Sequence, residues 1–227
     1  MRCTAIIPAY NEAQTVADIV RTVADLPQTV AEVIVVDDGS TDNTSAAAKK
    51  AGARVLRHEH NRGKAQAMQT GTRAAKAATH FLFLDADLLG LKREHVDRLL
   101  EPFMARSLGP ARDDCRAERP PVMTVSIRDR GRILTWLSQY CFPWISGERV
   151  VPKPLWEQVP QNFKRGFQIE LALNATACRL GYHIMPIVLS GVSIRRKEQK
   201  IGWLLGLWAR IRMTAELVAT MVRLVLQ

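Results

Sequence analysis

Four short apolar runs in the first half of the chain each give way to a polar cluster, and helix-like segments separate them. Residues 4–8 lead into Pro8-Ala9-Tyr10-Asn11-Glu12, and residues 32–36 into Asp37-Asp38-Gly39-Ser40-Thr41-Asp42. Residues 53–56 precede Asn61-Arg62-Gly63-Lys64, and residues 81–84 end at Asp85-Ala86-Asp87. β-Branched and aromatic content predicts a strand for such runs. Between them, residues 11–26 carry Val16, Ile19, Val20 and Val23 at helical spacing. Residues 44–51 and 65–78 are rich in alanine, and Gly52 closes the first of these. The order β-α-β-α-β-α-β predicts an α/β fold with a mostly parallel sheet and helices on both faces. Ligands of such sheets bind beyond the carboxyl ends of the strands. The polar residues after three of the four strands are therefore expected around one crevice.

The second half is less regular. Residues 104–121 mix charge, glycine and proline and read as a surface loop. Residues 122–127 read as a strand, followed by Arg128, Arg130 and Arg132. Residues 136–144 are aromatic-rich, and Ser146-Gly147-Glu148-Arg149 reads as a turn. Residues 166–180 suit a helix with Glu170 near its start, and residues 183–189 a last strand. From residue 198 onward the chain reads as one or two helices.

Asp85 and Asp87 are the sharpest chemical signal. Two carboxylates on a short segment at a strand end suit Mg²⁺ or Mn²⁺, which take oxygen ligands and leave places for phosphate oxygens. The structural alternative is a turn and helix cap. Asp37 and Asp38 divide between the same options, capping or hydrogen bonds to a base or ribose. Tyr10 offers a flat surface to a base, with Asn11 and Glu12 as polar neighbours. Asn61-Arg62-Gly63-Lys64 places cations and a glycine before a helix, where Arg62 or Lys64 can meet a phosphate. The P-loop spacing GxxxxGK[ST] is absent.

The four motifs, in this order, resemble family 2 glycosyltransferases of the GT-A, Rossmann-like fold, over residues 1–103. The resemblance implies that Pro8, Ala9, Tyr10, Glu12 and Asp38 surround the nucleoside of a UDP- or GDP-linked sugar. It also implies Gly63 and Lys64 at the diphosphate, with Ala86 beside it, and Asp85 and Asp87 at a divalent metal. Residues 1–197 would form the transferase domain: 1–103 the nucleotide-sugar half and 122–197 the acceptor half. Ser146-Gly147-Glu148-Arg149 is similar to the acceptor-side turn of relatives acting on polyprenyl phosphates or phosphoglycerate. Arg128, Gly147 and Arg149 are thus expected acceptor contacts, joined by Lys153. Glu170 matches the catalytic carboxylate that deprotonates an acceptor hydroxyl in an inverting transfer of a hexose, with Asp87 as its partner in catalysis. Several relatives carry a metal-binding histidine after the last strand, but residues 191–196 here contain none.

The net charge of +10 favours anionic partners without choosing among them. Residues 198–227 combine Trp203 and Trp208 with Lys200, Arg210 and Arg212, a pattern suited to an amphipathic tail at a membrane interface. Packing on the domain or on a second subunit of a homodimer is the alternative. A lipid-linked acceptor is the leading expectation, and a small soluble acceptor such as 3-phosphoglycerate the alternative. A non-catalytic sugar-nucleotide-binding subunit is a further reading. Nucleotidyl transfer lacks its glycine-rich opening loop, and nucleic-acid binding rests on charge alone. No stretch reaches transmembrane length and no leader pattern opens the sequence. A cytoplasmic protein at the inner face of the membrane is expected, with Cys3, Cys115, Cys141 and Cys178 as buried thiols.

Overall fold

Side chains alternate along the central strands between two apolar layers. In the computed structural model, which describes residues 1–108, 120–128, 146–164 and 168–195, the layers lie on opposite faces of one sheet. Ala5 and Ile7 of β1 (Cys3–Ala9) and Val33 and Val35 of β2 (Val30–Asp37) face one side, with Leu82 of β4 (His80–Phe83). Ile6, Ile34, Val36, Phe81 and Phe83 face the other. The first layer is closed by α1 (Val16–Ala24), α2 (Thr44–Lys50) and α4 (Arg93–Leu108). The second is closed by α3 (Lys64–Ala74), α5 (Lys153–Gln158) and α6 (Gln168–Arg179). Each large apolar side chain buried here contributes about 1.5–3 kcal/mol. Burial on both faces explains why these strands read as continuous apolar runs.

The sheet order is β3 (Arg54–Arg57), β2, β1, β4, β7 (Arg149–Pro152), β6 (Val122–Arg128), β8 (His183–Leu189). All neighbours are parallel except β7, which runs antiparallel to both β4 and β6. A second, two-stranded sheet pairs β5 (Leu88–Leu89) with β9 (Ser193–Ile194). The mostly parallel sheet covered on both faces is the architecture expected from the strand–helix order.

Several boundaries differ. Helix α1 begins at Val16, not near residue 11. Asn11 has φ +56°, its N–H donates to Ser40 Oγ (2.9 Å), and its Oδ1 accepts from Thr41 N (2.9 Å). Residues 11–15 are thus committed to the neighbouring loop. The loop expected from residue 104 instead continues α4 to Leu108, because Val96, Leu99, Leu100 and Phe103 form one buried stripe. Arg149, read as the end of a turn, opens β7. Cys3 is buried as expected, but Cys178 is exposed, on the outer face of α6. The aromatic segment 136–144, Cys115, Cys141 and the tail 198–227 lie outside the described residues.

Candidate active site

The parallel strands β1, β2 and β4 all end at one edge, and the antiparallel β7 begins there, since Phe83 pairs with Arg149. This register brings Ser146-Gly147-Glu148 against Asp85. A Cβ at Gly147 would overlap the Asp85 carboxylate, so only glycine lets backbone and carboxylate approach this closely.

Lys64, at the first position of α3, is the centre of the arrangement. Its Nζ lies 2.6 Å from Asp85 Oδ1 and donates to Glu170 Oε1 at 2.7 Å. Burial alone would lower the pKa of this ammonium, but attraction to Asp85 and Glu170 outweighs it, and the net displacement is upward. The Lys64 and Asp85 side chains are 21% and 24% exposed, whereas that of Glu170 is only 6% exposed. The two carboxylates thus converge on one cation, with a partial opening to solvent.

Arg149 is fully buried. Its Nε donates to Ser146 O at 3.0 Å, and its Nη1 to Asn174 Oδ1 at 3.2 Å and Glu170 O at 3.4 Å. Desolvation lowers its pKa, an effect opposed by Glu170, Glu148 and Asp85. Arg149, expected to touch an acceptor, spends these hydrogen bonds on the protein itself. Its guanidinium ties the 146–149 segment to α6 from behind the site. Glu148, also fully buried, accepts from Ser126 Oγ at 2.5 Å and from Ser146 Oγ. Lys153 stands at the opposite end of β7, past the Pro152–His80 pair, and is remote from this edge. Arg128 ends β6 on the site edge, but its side chain lies outside the described residues.

The residues expected around a nucleoside stand at the other strand ends. Tyr10 is exposed at the end of β1, next to half-buried Pro8 and buried Ala9. Glu12 is buried; its N–H donates to Thr44 Oγ1 at 2.8 Å. Asp38 is used by the protein itself. Its Oδ1 meets His58 Nδ1 at 2.6 Å and accepts from Arg62 N at 2.9 Å, while Oδ2 accepts from Gly63 N at 2.7 Å. Asp37 accepts from Ser40 N at 2.8 Å, as a turn-capping carboxylate does. Asp38 thus shapes the 61–63 loop that presents Lys64. Gly63, with φ +90°, leads directly into α3.

Thr15 donates to Ala86 O at 2.6 Å, fixing the Asp85-Ala86-Asp87 segment to the start of α1. Asp87 O accepts from Arg195 N at 2.9 Å, next to the β5–β9 pair. The stretch after β8 is therefore placed beside the aspartates, where an arginine stands in the absence of a histidine. Among the described residues no cluster of three His, Cys, Asp or Glu forms a metal cage. His58, Thr15 and Glu148 were not singled out from sequence. His58 follows the third apolar run and was legible as a fourth strand-end group.

The family model described as glycosyl transferase family 2 matches residues 4–141, more than half of the chain. The chain belongs to glycosyl transferase family 2. Among relatives of this family 2 member, the glucosyl-3-phosphoglycerate synthase of Mycolicibacterium smegmatis is 34% identical over 109 residues, covering 44% of this chain and 36% of the relative. Glycosyltransferase AglJ of Haloferax volcanii is 39% identical over 82 residues, 36% of this chain and 26% of the relative. The matched part thus spans well under half the length of these curated relatives. The solved glucosyl-3-phosphoglycerate synthase from Mycobacterium tuberculosis, in complex with Mn²⁺ and UDP-glucose, superposes with a TM-score of 0.77 at 24% identity. It covers 98% of this chain and 78% of the other. The same enzyme with Mg²⁺ and UDP gives a TM-score of 0.75. The fold is GT-A. No helix among the described residues is long and apolar enough to cross a membrane.

Proposed function

We propose that this family 2 chain transfers a hexose from a nucleotide diphosphate sugar to a hydroxyl of a small phosphorylated acceptor. The observation that carries the reading is Lys64 bridging Asp85 and Glu170 at the carboxyl edge of the sheet. The relatives bound to UDP with Mn²⁺ or Mg²⁺ support the donor, and the glucosyl-3-phosphoglycerate synthases support the acceptor class.

The residues present fit a divalent cation. Asp85 already has an ammonium against it, and the bare backbone at Gly147 leaves its carboxylate room. Asp85 and Asp87 would hold the ion, with substrate oxygens and water completing its sphere. A bound Mg²⁺ or Mn²⁺ supplies positive charge against the leaving diphosphate. Lys64 donates to the diphosphate oxygens when the donor enters. Glu170, its oxygen released from Lys64, accepts the proton of the attacking hydroxyl. Tyr10 covers the base, and Asp38 holds the loop that positions Lys64. Direct displacement with Glu170 as base predicts inversion at the anomeric carbon.

A second reading keeps the same donor chemistry with a lipid-linked phosphate as acceptor. The tryptophans and cations of residues 198–227 favour it. Purified protein with Mn²⁺ or Mg²⁺ would be offered UDP- and GDP-sugars with phosphoglycerate or with polyprenyl phosphate in vesicles. Transfer to one acceptor and not the other separates the two readings. Asp87→Asn should lose transfer by at least about 100-fold with the fold intact. Unchanged turnover and nucleotide binding in that variant would remove the metal site. The anomer of the product, read by NMR, tests the role of Glu170.

A further inference from the structure

A second basic site lies at the other end of α3. Here α3, α5 and the 3₁₀ turn Gln161–Phe163 enclose a polar groove of about 350 Å³. Its lining includes Arg73, Lys76, Lys153 and Lys164, against one carboxylate, Glu157, with Trp156 as an aromatic wall. Arg73 stands nine positions after Lys64 on α3, about 14 Å along the axis. The groove is therefore separate from the Lys64–Asp85–Glu170 cluster.

Lys164 makes this more than a charged surface. The residue is 97% buried, its accessible fraction being 3%, and it lines the groove. Its Nζ sits 4.8 Å from the centroid of the Trp156 ring. Its backbone is pinned, since Lys164 O accepts from Gln69 Nε2 at 3.2 Å. Among the described residues its ammonium has no ion pair, and neither do Arg73 and Lys76. Burial lowers the pKa of Lys164, the Arg73 charge lowers it further, and Glu157 opposes both. Lys153 is partly engaged, donating to Lys76 O at 3.3 Å, and offsets the carbonyl end of α3. Such a mutually repelling set, exposed at Arg73 and Lys76 and buried at Lys164, is stabilised by an anion. Its volume is that of a small-molecule site.

We infer that the groove between α3 and α5 binds a phosphate group through Arg73, Lys76 and Lys164, at a site distinct from the sugar-transfer centre. The phosphate comes from a soluble phosphorylated metabolite or from a phospholipid headgroup.

Inorganic phosphate is the probe for the first source, with full-length protein titrated by calorimetry at constant ionic strength in chloride. The double variant Arg73→Gln/Lys76→Gln alters two exposed positions and keeps the fold; it should weaken phosphate binding at least tenfold. Lys64→Gln, which lies in the other site, should leave this binding unchanged. Vesicles of phosphatidylglycerol, compared with phosphatidylcholine, probe the second source. Flotation with the anionic vesicles alone, lost in the double variant, assigns the groove to a headgroup. Binding that is equal in wild type and double variant, or no binding to phosphate or to vesicles, overturns the inference. Loss of phosphate binding in Lys64→Gln but not in the double variant would assign the anion to the transfer centre instead. None of these outcomes depends on turnover.

Discussion

At the residue scale, the site is governed by what is missing at position 147. Gly147→Ala puts a methyl group into the space of the Asp85 carboxylate and turns it away from the donor. Turnover is expected to fall about 100-fold, since small misplacements carry penalties of that size. Stability should change by less than about 1 kcal/mol, because a carboxylate at the crevice can swing aside. Steady-state kinetics beside urea denaturation separates the two effects. Cysteine chemistry gives an independent check on burial. Desolvation pushes the Cys3 thiol up to about 12, where it is not a nucleophile at neutral pH. Alkylation of the native protein, mapped by peptide mass spectrometry, should modify Cys178 and spare Cys3. Labelling of Cys3 without prior unfolding would contradict the β1 placement.

At the scale of elements, α3 carries Lys64 of the candidate site at one end and lines the basic groove at the other, and its middle must press closely on the sheet. Gly71 allows this: a Cβ there would stand 2.5 Å from Ile6 Cγ2 and 3.3 Å from Val36 Cγ2. Gly71→Val is expected to cost about 1–3 kcal/mol by overpacking, read as a lower urea midpoint at an unchanged slope. A wild-type midpoint would mean that α3 stands further from β1. The four early strands and three early helices were legible because their apolar spacing is unbroken. β7 was not. It is four residues long and begins with a fully buried arginine, which hydrophobic periodicity scores as surface. The pairing of β5 with β9 escaped for a different reason. Each is two residues long, and their contact depends on tertiary placement of the segment after β8. Asp38 directly follows its strand as the apolar run implies, but its bonds to His58, Arg62 and Gly63 depend on a loop partner that spacing does not reveal.

For the whole molecule, the seam between β4, β7 and α4 carries a titratable group that makes stability depend on pH. Burial depresses the His80 imidazole from its ordinary 6.5 to about 4, with the ring edge-on to Phe103 at 5.0 Å. A folded pKa below the unfolded one means that the unfolded chain binds a proton the native state refuses. Stability is therefore full above about pH 6.5 and drains as the pH falls towards 4. Urea midpoints at pH 7.5 and 5 should show the loss, and His80→Gln should flatten it. A steeper loss in that variant would place the sensitive group elsewhere.

The antiparallel pairing of β7 with β4 also sets an order of assembly. Every residue of β1, β2, β3 and β4 has been synthesised once residue 83 is joined to the chain, so the β3-β2-β1-β4 part of the sheet can pair from contiguous chain as soon as it clears the ribosome. Glu170 lies 106 residues beyond Lys64 and reaches it only after β7 has been added to β4. A nascent chain arrested between those points has Lys64 and Asp85 in hand without the carboxylate that finishes the centre. The Lys64–Asp85–Glu170 cluster is thus completed late in synthesis, and a product terminated before residue 170 would carry Lys64 and Asp85 without their third partner.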